Sequence, residues 1–178
     1  MSDQEEARGR LILVTSASTA TAGEVAAALG QTLPRCAVVG GGVVDAMVVT
    51  GRAAEPLSDE AGDALRAATD PAVAGQLLLR WSACLALAET FQLEGFDVVV
   101  HDVVLGDHLE DFLDLAAPEP VHVIVIGDPI GSTTPRWGLW LDPAPAPDVT
   151  AAAVLARLDE AVVLTAEPAD PHDGGRPA

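Results

Sequence analysis

A histidine and an aspartate stand side by side at the end of an apolar run, in the stretch FDVVVHDVV. The run from Asp97 to His101 has the β-branched composition of a buried strand, so His101 and Asp102 are expected where that strand ends. Either side chain could serve as a general acid or base. Neighbouring residues of a strand point to opposite faces, so the two are not expected to pair. The alternative is structural: Asp102 hydrogen-bonds the first loop, and His101 packs in the sheet.

The composition excludes several classes of function. The 178 residues carry a formal charge of −18, which repels nucleic acids and anionic membranes, so neither is expected as a partner. All nine basic residues are arginine, so no lysine is available for a phosphate or a Schiff base. Two cysteines are too few for a disulfide framework or a cysteine metal site. With a polar start and no apolar run near the ~20 residues that span a bilayer, we expect a soluble, cytoplasmic protein.

Apolar strand-like runs alternate with helical segments along the chain. The predicted strands are 11–15, 36–39, 97–101, 121–126 and 139–141, and the predicted helices are 22–33, 57–68, 70–94, 108–116 and 148–161. The glycine run at 40–42 breaks the pattern, and 43–50 is ambiguous. This alternation predicts a three-layer α/β fold with a parallel sheet of about five strands. We expect a polar arm at 1–9, one domain over 10–165 and a disordered tail at 166–178.

The order of the segments resembles the P-loop kinases, in particular the chloramphenicol phosphotransferase-like group. The resemblance is carried by LILVTSASTATAGEVAAAL, a strand, a short loop and a helix, and by LEGFDVVVHDVVLGDHLEDFLDL, DAMVVTGR and WGLWLD. It covers roughly residues 10 to 160. It implies a P-loop kinase-like fold and, in an intact member, ATP-dependent phosphorylation of a small molecule.

The residues that would bind phosphate in that group are replaced. When the chain is laid on the phosphate-loop pattern without gaps, the loop glycines fall on Ser16, Thr19 and Thr21. The lysine falls on Ala22, and the hydroxyl that binds magnesium falls on Gly23. The loop side chains Ser16, Thr19 and Thr21 therefore become candidates for contact with a different ligand.

Two further parts of the kinase apparatus depart from the pattern. The aspartate that follows the second strand in the resembling group corresponds to Gly40–Gly42, with Asp45 out of register by about one helical turn. The lid is reduced to a few residues around Arg136 and Trp137, whereas Asp102 matches the acidic end of the third strand. The resemblance therefore implies a kinase fold from which phosphoryl transfer has been removed.

Three other charged residues are candidates for the emptied site. Glu24 and Asp45 could face it, where partial burial would raise the pKa of a carboxyl and suit it to proton transfer. The alternative for Glu24 is an ordinary first-turn residue near a helix N-terminus. Arg52 matches a basic position beside the acceptor in the resembling kinases, where it could hold an anion or a carbonyl group, or it could form an ordinary salt bridge.

Apolar candidates lie on the long predicted helix and near the missing lid. Trp81 and Cys84 stand within one turn of each other on a helix that borders the acceptor pocket in the resembling kinases. Trp137 lies where the lid would be, next to Arg136. These side chains could line a ligand pocket, and the alternative for the tryptophans is a place in the core.

Three functions remain open from the sequence. The first is an enzyme acting on a small biosynthetic or antibiotic-like molecule by acid–base chemistry such as isomerisation, dehydration or cyclisation, with no metal and no cofactor. The second is a non-catalytic pseudokinase that binds a ligand or a partner protein. The third, least favoured, is an ATP-dependent phosphotransferase or a residual nucleotide binder. A homo-oligomer is compatible with each of them.

Overall fold

The structure is a computed structural model that describes residues 8–52, 70–127 and 133–164. The strands in these ranges are β1 (Leu11–Ser16), β2 (Cys36–Gly40), β3 (Asp97–Asp102), β4 (Val121–Ile126), β5 (Leu139–Leu141) and β6 (Val162–Val163). The helices are α1 (Thr19–Thr32), α2 (Gly41–Ala46), α3 (Pro71–Leu93), α4 (His108–Ala116) and α5 (Pro147–Ala156), with a 3₁₀ turn at Leu158–Ala161. The helix predicted at 57–68 and the tail predicted at 166–178 lie outside the described residues.

The strands form one sheet in the order β2-β3-β1-β4-β5. Strands β1 to β5 run parallel, and the short β6 pairs antiparallel with the start of β4 at Val121 and His122. The predicted α/β fold with a mainly parallel sheet is confirmed, and β6 is an addition to it. Because β1 lies at the centre of the sheet, all six of its residues are buried.

Alternation along the central strands separates two apolar cores. Leu11 and Leu13 of β1 face a core that includes residues of α3 and α4. Ile12 and Val14 face the opposite core, which includes residues of α1 and α5. The sheet is therefore covered by helices on both sides, as its continuous apolar strands predict.

Helix α3 begins and ends where the sequence predicts. The Asp70 side chain accepts a hydrogen bond from the backbone N–H of Ala72, and Pro71 occupies the first turn. Gly95, just beyond the helix, adopts a φ of +76°, which glycine takes without strain. The N-terminal segment packs here too, since Gly9 exchanges two hydrogen bonds with Gln92.

By length and composition α3 is able to cross a membrane, with a mean hydropathy of 1.3 over its most apolar 18 residues. This corrects the expectation that no apolar run approaches that length. In the fold, α3 lies against β3 and buries Val73, Leu77 and Trp81 in the core. It also buries Arg80, which is paired with a carboxylate, so α3 has the contacts of a core helix.

The glycine run at 40–42 is the start of a helix and not a break, because α2 begins at Gly41. The reason is the close approach of β3. A Cβ at Gly40 would lie 2.7 Å from Nε2 of His101, and a Cβ at Gly41 would meet the carboxylate of Asp102. Only glycine leaves enough space for β3 at these two positions. Because glycine has a low helix propensity, the sequence did not predict a helix here.

Candidate functional site at the carboxyl edge of the sheet

His101 and Asp102 end β3 and point to opposite faces of the sheet. The imidazole of His101 lies on the α1 side, between Gly23 of α1 and Gly40 of β2. The carboxylate of Asp102 lies on the α3 side. Strand alternation predicted this separation, and the two residues therefore belong to different environments.

Four contacts with described residues hold the carboxylate of Asp102, and the residue is only 2% exposed. Nη2 of Arg80 donates to Oδ1 at 2.9 Å, and Nε of Arg80 lies 2.9 Å from Oδ2. The indole N–H of Trp81 donates to Oδ2 at 3.0 Å, and the backbone N–H of Val103 donates to Oδ1 at 2.8 Å. Asp102 thus forms a buried ion pair that joins β3 to α3.

Asp45 is held in a similar way by neighbouring side chains. It is 8% exposed, and Nε2 of Gln76 donates to its Oδ1 at 2.9 Å. Nη1 of Arg52 lies 3.6 Å from its Oδ2. Arg52 also donates to the carbonyls of Val48 and Asp45, at 2.6 and 2.7 Å, so its guanidinium caps the end of α2. These contacts give Arg52 the ordinary salt-bridge role as well as a capping role.

The two carboxylates belong to one polar layer between α2, α3 and β3. We call Asp45, Gln76, Arg80 and Asp102 the buried polar cluster, since each of them is less than a tenth exposed. Gln76 and Arg80 stand one turn apart on α3, and each binds one carboxylate. Sequence reasoning missed both as partners. The signal was the single arginine of a largely apolar helix, because an arginine is buried only when it is paired.

The contact between α2 and the buried polar cluster makes a prediction about two glycines. Gly41→Ala should lower the free energy of unfolding by about 1–3 kcal/mol, because the new methyl group would press on a carboxylate fixed by Arg80 and Trp81. Gly75→Ala is the matched control: nothing lies within 4 Å of its Cβ position in α3, so it should stabilise by about 0.5–1 kcal/mol. Urea denaturation followed by circular dichroism measures both, and equal shifts would contradict the proposed contact.

The connection from β1 to α1 is a turn of two residues, Ala17 and Ser18. Ser16, which is 5% exposed, accepts from the backbone N–H of Ser18 at 3.3 Å. The Ser18 hydroxyl caps α1 by accepting from the backbone N–H of Thr21 at 3.4 Å, and its carbonyl accepts from Ala22 N–H at 3.1 Å. The amides of Ser18, Thr21 and Ala22 are therefore bonded within the chain itself. Thr19 is the first residue of α1.

A groove of about 140 Å³ lies between α1 and the segment that leads into α5. Glu24 is exposed at this groove, while the His101 ring packs against Gly23 of α1 and Gly40 of β2. The lining residues are Thr21, Glu24, Val25, Ile126, Pro143, Ala144, Pro145, Pro147 and Thr150. Thr21 and Glu24 therefore line the same groove, and His101 is not among its lining residues. Within the described ranges, no three His, Cys, Asp or Glu side chains are grouped to hold a metal ion.

Trp81 and Cys84 are both fully buried in the core beneath α3. The Trp81 ring meets His108 and Phe112 edge-on, with centroids 5.6 and 6.2 Å away. Burial raises the pKa of the Cys84 thiol to about 12, with the charge of Asp102 adding to the effect, so the thiol is neutral at ordinary pH. In this structure neither side chain presents a surface to a ligand.

Arg136 and Trp137 lie near the surface beside β5. The guanidinium carbon of Arg136 lies 4.3 Å from the ring centroid of Trp140, a cation–π contact. Trp137 is 39% exposed, and its carbonyl accepts a hydrogen bond from the indole of Trp140 at 3.1 Å. The pair of tryptophans thus forms a partly open aromatic surface close to the predicted place of the lid.

Comparison with known proteins supports the fold. No protein-family model and no curated protein sequence matches the chain. The APS kinase of Mycobacterium tuberculosis, as a cysteine-to-alanine mutant, superposes with a TM-score of 0.59 at 15% identity, covering 85% of this chain and 98% of that one. The same kinase in complex with AMPPNP and APS gives 0.58 at 12% identity, with coverages of 85% and 98%.

A sugar kinase from a Janibacter species, in an unliganded structure, gives a TM-score of 0.55 at 12% identity. The superposition covers 86% of this chain and 96% of the sugar kinase. At such identities the likeness establishes the fold alone. The sheet, its covering helices and these neighbours together show that the chain has a P-loop kinase-like fold.

Proposed function

We propose that this chain is a kinase-fold protein that has lost phosphoryl transfer from ATP and binds a small molecule at the carboxyl edge of its sheet. The observation that carries the proposal is the two-residue turn between β1 and α1. A phosphate cradle needs a longer glycine-rich loop whose backbone N–H groups point at the ligand. In this chain the hydroxyls of Ser16 and Ser18 accept hydrogen bonds from the backbone N–H groups of Ser18 and Thr21, so these two groups do not point at a ligand.

The charges around the turn support the same proposal. Position 22, which matches the phosphate-binding lysine, is an alanine with no exposed surface. No lysine elsewhere in the chain can replace it, and Glu24 lies exposed two residues further along α1. The net charge of −18 and the Glu24 carboxylate near the turn between β1 and α1 (the α1 turn) both repel a triphosphate.

Among the predicted acid–base residues, His101 is the best placed for chemistry. In open α/β sheets ligands bind beyond the carboxyl ends of the strands, and His101 ends β3 next to the central strand. Its side chain is neither fully buried nor part of the cluster that holds Asp102 and Asp45. In the proposed reaction His101 takes a proton from the substrate and returns it elsewhere on the same molecule, as in an isomerisation, so no co-reactant is consumed.

Proton exchange with solvent tests this role. Small metabolites, phosphorylated and unphosphorylated, are first screened for a rise in melting temperature. A hit is then incubated with the protein in D₂O and followed by NMR. We expect deuterium to enter the ligand with the wild-type protein and not with His101→Gln, while the matched variant His122→Gln, at a buried histidine of β4, exchanges as the wild type does. Exchange that persists in His101→Gln would remove His101 from the mechanism.

The second candidate function is binding without catalysis, and the buried polar cluster favours it. Two of the three predicted carboxylates of the site, Asp45 and Asp102, are held by protein partners, so neither of these two is available to His101 as a second acid–base group. The third, Glu24, lines the groove beside α1. This candidate predicts a ligand that binds and shows no exchange with either the wild type or His101→Gln. Such a result would exclude the acid–base enzyme and leave the pseudokinase.

A further inference from the structure

The groove between α1 and the segment that leads into α5 lies at the carboxyl edge of the sheet. Of its lining residues, Ile126 ends β4, and Thr21 stands in the first turn of α1, the helix that follows β1. The volume of the groove is about 140 Å³. Since a cavity of about 150 Å³ holds a molecule of the size of benzene, the groove has room for an organic ligand of about six to eight non-hydrogen atoms.

The outer wall of this groove offers few hydrogen-bond donors. Three of the described lining residues are Pro143, Pro145 and Pro147, and proline has no backbone N–H. The backbone N–H of Ala144, which lies between two of these prolines, donates to Oγ1 of Thr150 at 3.2 Å. This wall therefore presents proline rings and carbonyl oxygens to a ligand, and its one described N–H is already bonded.

The other described lining residues also use their backbone N–H groups within the chain. The N–H of Thr21 donates to the Ser18 hydroxyl, and the N–H of Thr150 donates to the carbonyl of Ala146 at 3.4 Å. The remaining three lie inside α1 or β4, whose N–H groups bond within the helix or the sheet. An anion needs donors, so these backbone groups do not suit it.

The charge around the groove is negative. Glu24 is the one charged residue among the described lining residues, and Asp142 and Asp148, each next to a lining proline in the chain, are exposed as well. The N-terminal ends of α1 and α5 contribute about half a positive charge each, which three carboxylates outweigh. Each of the seven arginines in the described ranges already contacts an acidic side chain, a carbonyl oxygen or an aromatic ring. These charges favour a cation.

We propose that the groove binds a small organic cation, a primary ammonium on an apolar body of about six carbon atoms. Thr21 and Glu24 stand three residues apart on one face of α1, so a hydroxyl and a carboxylate lie within reach of one ammonium group, which has three donors and no acceptor. The apolar body lies against the three proline rings. The inference rests on the proposed function for ligand binding at this edge of the sheet, and it names the chemical class of the ligand.

Protein NMR of the full chain with three probes of similar shape tests the proposal. Cyclohexylamine, cyclohexanol and cyclohexanecarboxylate are positive, neutral and negative at neutral pH. We expect cyclohexylamine to bind with a Kd of about 1 mM, about five- to tenfold more tightly than cyclohexanol, because it adds a charge-assisted hydrogen bond in a partly open groove. The carboxylate should bind most weakly. The shift changes should centre on the amides of Ala144 and Thr150.

Two variants separate the groove from the net charge of the chain. Glu24→Gln keeps the size of the side chain and removes its charge, so it should abolish the preference for cyclohexylamine over cyclohexanol. Glu89→Gln is the matched control, because it removes the same charge at an exposed site of α3 and should keep the preference. Equal binding of amine and alcohol to the wild type, or a preference that survives Glu24→Gln, would overturn the proposal. So would cyclohexylamine that shifts no groove amide at about 10 mM, ten times the expected Kd.

Failure of this inference is distinguishable from failure of the proposed function. Micromolar binding of Mg-ATP would contradict the proposed function, whatever cyclohexylamine does. A metabolite from the melting-temperature screen that binds in this groove as an anion would contradict the cation inference and leave the proposed function standing.

Discussion

Arg80→Met should lower the free energy of unfolding by about 3–5 kcal/mol, because it leaves the carboxylate of Asp102 buried without its counter-charge. The methionine keeps most of the apolar stem of arginine, so lost packing contributes little. Urea denaturation followed by circular dichroism gives the value. A loss this large is a substantial part of the stability of a domain of this size.

A double variant separates charge from shape at the same position. Arg80→Met combined with Asp102→Asn removes both charges, and it should recover much of the stability that the single exchange loses. Arg157→Met is the surface control: Arg157 and Glu160 form a pair whose side chains are 47% and 58% exposed, so the loss of this pair should leave the unfolding midpoint unchanged. A loss below about 1 kcal/mol for Arg80→Met would contradict the burial of the pair.

Ala22→Lys should also destabilise the protein strongly, by about 3 kcal/mol or more. The exchange supplies the lysine that the phosphate-loop pattern places at this position. However, Ala22 is fully buried in the core under α1, beside Val25 and Ala26. An ammonium group there would lose its hydration and would displace apolar neighbours. We therefore expect loss of stability and no gain of nucleotide binding.

Ala27→Lys is the matched control for that experiment. It makes the same exchange five residues later in α1, at an exposed position, and it should change the free energy of unfolding by no more than about 0.5 kcal/mol. If Ala22→Lys were as stable as Ala27→Lys and bound Mg-ATP, the α1 turn would be a phosphate site that lacks only its lysine. That result would contradict the proposed loss of the phosphate cradle.

Local signals predicted most of the fold. The apolar runs located β1 to β5, and Asp70, Pro71 and Gly95 defined the ends of α3 within about one residue. Helix α2 was not predicted, because the glycines at its start are required by the side chains of His101 and Asp102, which lie 61 residues further along the chain on β3. Local sequence patterns do not report contacts over such a separation. Strand β6 was not predicted, because a strand of two residues is too short to show a periodic pattern.

The candidate site was predictable only in part. Strand alternation placed His101 and Asp102 on opposite faces, since that depends on neighbouring residues alone. The pairing of Asp102 with Arg80 joins residues 22 positions apart in different elements, and packing of α3 on the sheet creates it. The same packing encloses Trp81 and Cys84, whose types suit a pocket wall as well as a core. The residue types therefore indicated which side chains could belong to a site, and the tertiary contacts determine which of these side chains a ligand could reach.

The most direct test of the proposed loss of phosphoryl transfer is calorimetric titration of the folded protein with Mg-ATP and, in parallel, Mg-GTP. We predict no heat of binding up to millimolar nucleotide, because the backbone amides of Ser18 and Thr21 are bonded to serine hydroxyls within the chain and the chain has no lysine. Micromolar binding of either nucleotide would contradict the proposal, and it would make this chain a phosphotransferase with an unfamiliar way of holding phosphate.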